Sequence, residues 1–89
     1  MADTIRGPVT NVVDGDTFDM KVTHVGNENK HQYNGVERIR IAGTAAPELN
    51  SPLGARSKDF LERKLKGKEV LCHVRSRDVY GRIVADVVV

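Results

Sequence analysis

Residues 12–20 read VVDGDTFDM and place two carboxylates, Asp14 and Asp16, one glycine apart, with Thr17 directly behind. Asp-Gly is a tight-turn dipeptide. One acid there serves the backbone; a second, close beside it, suits a hard cation, which takes oxygen ligands and tolerates irregular geometry. Two further groups could do chemistry. Arg40 is followed by Glu48 just past Pro47, and Asp78-Val79-Tyr80-Gly81-Arg82 offers an acid, an aromatic ring and a guanidinium around a glycine. Each has a plain structural explanation as a hairpin turn, an ordinary ion pair or a tyrosine-capped loop. Together they match the needs of phosphodiester hydrolysis: a cation for phosphate charge, a carboxylate to position water, and arginines whose planar donors hold an anion.

The elements that must position these groups can be read from the spacing of apolar residues. Residues 8–13 (PVTNVV) and 17–24 (TFDMKVTH) are rich in β-branched residues and read as strands joined through Asp14-Gly15. The polar stretch GNENKHQYNG, 26–35, reads as a loop or long hairpin tip. In VERIRIAG, 36–43, Val36, Arg38 and Arg40 alternate with Glu37, Ile39 and Ile41, a strand with one wet and one dry face, ended by Ala46-Pro47. The spacing changes to helical over 52–66, with Ser57, Leu61 and Leu65 on one face and Phe60 beside them; Gly67 is the expected stop. EVLCHVRS, 69–76, directs Val70, Cys72 and Val74 inward, and RIVADVVV, 82–89, forms the last strand after a turn. The fold class is therefore mainly β with one helix. Its element order, β-β-β-α-β-β, is that of a five-stranded OB-type Greek-key barrel.

Length and composition agree with a single domain over 1–89. Hydrophobic residues at 39% against 29% charged describe a globular chain rather than a disordered one. The formal net charge of +2 is mild. Basic residues crowd the second half from Arg56 to Arg82, as a solvated helix face or a polyanion-facing surface would require. The single cysteine, Cys72, excludes an internal disulfide and reads as a core thiol. His24, His31 and His73 share no metal-ligand spacing, and the four aromatics Phe18, Tyr33, Phe60 and Tyr80 are too few for a base-stacking platform. With no leader and no apolar run of membrane-spanning length, the chain as written is expected in the cytoplasm; export would need a leader outside it.

From about Pro8 onward, VVDGDTF, RIRIAGTAAPE, GARSKDFLERKLKGKEV and DVYGRIVA occur in an order and spacing that resemble the staphylococcal nuclease (thermonuclease-like) family. The resemblance implies an OB-fold nuclease domain and calcium-assisted hydrolysis of DNA or RNA, with nucleic acid as the partner. By position, it implies that Arg40 and Arg82 grip phosphate and that Glu48 orients or activates the attacking water. It likewise implies that Asp16 ligates the metal with Asp14 behind it, and that Tyr80 lies near the bound nucleotide.

This chain departs from the family at two places. The family's second carboxylate ligand is replaced by Ala45, and a methyl group cannot coordinate calcium. The resemblance also implies helices beyond the last strand, whereas the chain ends at Val89. The barrel face bearing Val87 and Val89 is then expected to be exposed and open to a second copy of the chain or to a further domain. The alternative to a working nuclease is a disabled OB module that binds nucleic acid or a protein partner.

Overall fold

The computed structural model describes residues 3–26, 33–43 and 52–89. Its elements are β1 (Thr4–Asp14), β2 (Thr17–Lys21), β3 (His24–Gly26), β4 (Val36–Ile41), α1 (Pro52–Leu65), β5 (Glu69–Arg77) and β6 (Ile83–Val88). The order of neighbours is β2-β4-β6-β5-β1, and β1 also pairs with β2, so five strands close on themselves. All pairings are antiparallel except β4 with β6. This is the expected OB-type barrel.

β1 starts earlier than the sequence suggests and serves two partners in turn. Thr4–Pro8 lies beside β5, whereas Val9–Asp14 lies beside β2, with irregular register near Asn11 and Asp14. Such irregularities bend and coil a strand, which a small barrel needs. Pro8, exposed at the change of partner, interrupts no continuous ladder. The strand expected over 17–24 is broken at Val22-Thr23. The Val22 amide donates to the Gly35 carbonyl (2.8 Å) and the Thr23 amide to that of Arg6 (2.9 Å), which frees 24–26 to form the short β3 along the start of β1. Gly7 sits at this crossing. A Cβ there would fall on the Lys21 carbonyl oxygen, so only glycine lets the two backbones approach.

The alternation of each strand sends Ile5, Val9, Val12, Phe18, Met20, Ile39, Val70, Cys72, Val74, Ile83 and Ala85 into the barrel. Helix α1 packs along β1 and adds Leu61 and Leu65 to this core. Phe60 does not join them and is 70% exposed, because it lies one position around the helix from Leu61. Gly67 takes the left-handed φ of +73° that ends α1, and the next carbonyl, that of Lys68, accepts from Val9 at 2.9 Å. Burial pushes the Cys72 thiol up to about 12, so it stays protonated and acts as a small apolar group, with its sulfur 3.7 Å from that of Met20. Val87 packs against the core rather than standing exposed; Val88 and Val89 are the open residues of that face. Among the described residues no helix is long and apolar enough to cross a membrane.

The β5–β6 connection is organised by Asp78. Its Oδ1 accepts from the amides of Tyr80 (3.0 Å) and Arg82 (2.9 Å), and its Oδ2 accepts from Arg82 Nε at 2.7 Å. Its carbonyl accepts from the Gly81 amide at 3.0 Å, with Gly81 at a φ of +83°. Partial burial pushes the Asp78 carboxyl up, but the Arg82 amide and guanidinium and the Tyr80 amide outweigh it and hold the group below its ordinary value of 3.8.

Two outcomes follow from these contacts. Gly7→Ala is expected to destabilise the fold by about 1–3 kcal/mol in urea unfolding; an unchanged midpoint would mean that β1 and β2 do not approach this closely. Because the native pKa of Asp78 is lowered, its stabilisation is complete above 3.8 and is lost as pH falls through the native value. The Tm deficit of Asp78→Asn should therefore be constant from neutral pH to about pH 5 and close on further acidification. A deficit that persists in acid would contradict the pairing.

Candidate functional site

The β1–β2 turn fixes the two acids in different ways. Asp14 Oδ1 accepts the Asp16 amide at 3.1 Å, a local side-chain-to-backbone bond that closes the turn. Asp16 is buried, and its Oδ1 accepts from the Thr17 hydroxyl at 2.9 Å. The Asp16 carbonyl accepts from the Ile41 amide at 2.8 Å, tying the turn to the end of β4. Burial pushes the Asp14 carboxyl above its ordinary value, and the side chain and negative charge of Asp16 add to the shift, while the Asp16 amide opposes it.

Register brings the first arginine to these acids. Thr17 pairs with Arg40 across β2 and β4, and an Arg40 terminal nitrogen stands 3.9 Å from Asp16 Oδ2. In β4, Glu37 and Ile39 face in and Arg38 faces out, so Arg40 also lies on the outer side. Arg40 pairs with Val84, and Ile39 with Ile83, on the parallel neighbour β6. Ile83 and Ala85 are buried, which puts Arg82, immediately before Ile83, on the same outer wall as Arg40. Asp78 takes the Nε of Arg82, and no further hydrogen bond from the Arg82 guanidinium occurs among the described residues. The exposed Tyr80 ring lies against the guanidinium, 5.4 Å from its carbon to the ring centroid. Beside them Arg38 makes a two-pronged pair with Asp19 at 2.9 and 3.3 Å.

The structure thus brings Asp14, Asp16 and Arg40 together and sets Arg82 and Tyr80 on the adjoining strand end. Glu48 and Ala45 lie outside the described residues. The paired Asp14 and Asp16 carboxylates fit the anchor of a hard-cation site, since each raises the cost of charge on the other. Among the described residues, however, no three His, Cys, Asp or Glu side chains gather around one point. Two carboxylates do not enclose a calcium ion, which takes about six to eight oxygens. The fit is to an open site completed by water or by a ligand's own oxygens.

Sequence reasoning missed a second polar group at the end of the barrel where β4 begins and β5 ends. Glu37 is buried, and its carboxylate accepts from Arg77 at 3.2 and 3.3 Å and from the Asn34 amide at 2.8 Å. Asp3, also buried, accepts from the Tyr33 hydroxyl at 2.8 Å. Burial, with the Asp3 carboxylate, pushes the Tyr33 hydroxyl well above its ordinary value. The available signal was Glu37 itself, an acid on the dry side of an alternating strand, which has to find a cation.

Comparison with known proteins bears on this arrangement. The family model described as staphylococcal nuclease homologue matches residues 38–89, more than half of the chain, including Arg40, Tyr80 and Arg82. A "Probable endonuclease LCL3" of Arthroderma otae is 33% identical over 94% of this chain and 36% of its own length. A "Probable staphylococcal-like nuclease CAN3" of Oryza sativa subsp. japonica is 42% identical over 56% of this chain and 13% of its own length. An "Uncharacterized endonuclease" of Escherichia coli is 32% identical over 93% of this chain and 48% of its own length. The chain thus spans less than half the length of each of these relatives. With its closed five-stranded barrel and the match over its second half, the chain belongs to the family of staphylococcal nuclease homologues.

Proposed function

We propose that this domain is a nuclease that hydrolyses phosphodiester bonds of DNA or RNA on the outer wall formed by β2, β4 and β6. The observation that carries the reading is that Arg40 and Arg82 lie on neighbouring strands, β4 and the start of β6, with Arg40 beside the acidic β1–β2 turn. A phosphodiester has two non-bridging oxygens. A guanidinium whose Nε is already anchored offers its remaining nitrogens as a planar fork for them. Arg40, near Asp16, would take an oxygen closer to the turn, and Arg82 one closer to Tyr80.

In the hydrolysis itself, water attacks phosphorus, the bond from phosphorus to the departing sugar oxygen breaks, and that oxygen ends protonated. Glu48 is assigned to hold the water and accept its proton, and the arginines stabilise the negative charge that builds on the phosphoryl oxygens. Calcium is the assigned cation, held by Asp16 with Asp14 behind it; when bound it would supply further neutralisation of phosphate charge. Ala45 removes one carboxylate from that site relative to the family pattern, so occupancy should need a high cation concentration. The same alanine favours a second reading, a domain that binds nucleic acid without cutting it. Tyr80, exposed and lying against Arg82, would meet the sugar or base next to the gripped phosphate. The relatives named as endonucleases support the class of reaction.

Cleavage of heat-denatured DNA is expected in millimolar calcium and not in excess chelator. Arg40→Gln or Arg82→Gln should each lower kcat by about 10²–10³-fold, and Glu48→Gln should abolish turnover while leaving oligonucleotide binding in place. Ala45→Asp should lower the calcium concentration needed for half-maximal rate. A wild-type protein that binds oligonucleotide but never cuts, with cutting restored by Ala45→Asp, would establish the disabled-site reading instead.

A further inference from the structure

The pair of buried Glu37 with the more exposed Arg77 reaches the wall just described. Arg77 is the last residue of β5 and pairs in register with Ile83, the first of β6, so the turn carrying Tyr80 and Arg82 springs directly from it. Its guanidinium spans two elements: Nη1 and Nη2 donate to the two Glu37 oxygens on β4, and Nη1 also donates to the Gly81 carbonyl at 2.8 Å. Glu37 has only 4% of its side chain exposed and is fixed further by the Asn34 amide. A buried carboxylate that accepts several hydrogen bonds is a rigid anchor, because moving it would uncover its charge without a partner.

The turn is consequently held from two sides. Asp78 clasps Arg82 through its Nε and amide, and Arg77 clasps the peptide immediately before Arg82 through the Gly81 carbonyl. Gly81 is the residue that needs holding, since glycine is the most conformationally free and here sits at a left-handed φ of +83°. We infer that Arg77, fixed by the buried carboxylate of Glu37, is a positioning residue for Arg82: it sets the peptide from which the phosphate-gripping guanidinium projects. This rests on the proposed phosphate grip by Arg82. Arg77 itself, with its charge directed to Glu37, does not touch the substrate.

A pair that merely plugs the barrel would leave the same contacts between Glu37 and Arg77, so the test must separate aim from stability. Arg77→Met alone would leave Glu37 buried without its cation and risks unfolding the chain. The test variant is therefore the double substitution Glu37→Gln with Arg77→Met, which removes both charges together and keeps an amide oxygen for Asn34. Its effect on cleavage of a single-stranded oligonucleotide is measured twice, with Arg82 intact and in the Arg82→Met background, and urea midpoints verify that all four proteins are folded under assay. With Arg82 intact, kcat/KM is expected to fall by about ten- to hundredfold, the scale of a misplaced binding group. In the Arg82→Met background the same double substitution should cost less than about twofold, because the residue it positions is gone. Equal losses in both backgrounds, or no loss with Arg82 intact, would overturn the inference and leave the nuclease reading standing. A folded wild-type protein that neither binds nor cuts the oligonucleotide overturns the nuclease reading, and this inference with it.

Discussion

The parallel pairing of β4 with β6 is the contact on which the site depends. Every other pairing among the described strands is antiparallel. β4 and β6 are separated by the helix and by β5, and they meet because the sheet closes. Once they run side by side with Ile39 against Ile83, alternation decides the rest: the isoleucines face the core, and Arg40 and Arg82 face out on one wall. The aspartate turn joins that wall through β2, whose Thr17 lies against Arg40. A slip of β6 by one residue against β4 would turn Ile83 outward and the Arg82 end of the strand inward, so burial of Ile83 beside Ile39 protects the site as much as the core.

The barrel's two ends are finished differently, and the difference bears on function. Along β1, α1 supplies Leu61 and Leu65, an apolar cover that tolerates small adjustments. At the start of β4 and the end of β5, buried charge does the same work through Glu37 with Arg77 and Asp3 with Tyr33. Charged plugs are less forgiving than apolar ones, since each partner must stay within hydrogen-bond reach. That rigidity lies directly beneath the turn bearing Tyr80 and Arg82. The opposite arrangement, with an apolar end under the turn, would leave Gly81 far freer.

Much of this was legible in the sequence. Period-two alternation in VERIRIAG and EVLCHVRS identified the strands and their dry faces, and the helical spacing of Leu61 and Leu65 gave α1 and its packed side. The acids of the first turn and the arginine before Ile83 stood out by residue type. Less was legible where position depends on partners distant in the chain. TIRG, with a charge and a glycine, carries no clear strand pattern, yet it pairs with both β3 and β5. Phe60 looked like a core residue by type but lies off the buried stripe. Arg77 could be counted only as one more basic residue, because its partner Glu37 comes from another strand.

Under the proposed function, Arg40 and Arg82 present one anion-gripping wall beside the acidic turn that carries Asp16. Backbone-amide NMR spectra recorded during titration with a short single-stranded oligonucleotide test it most directly. The account predicts that the resonances that move will cluster on residues 14–19, 38–41 and 79–84, and that the movement will weaken steeply as salt is raised. Movement confined to the opposite side of the barrel, around His24, Val25 and Glu69, would contradict it.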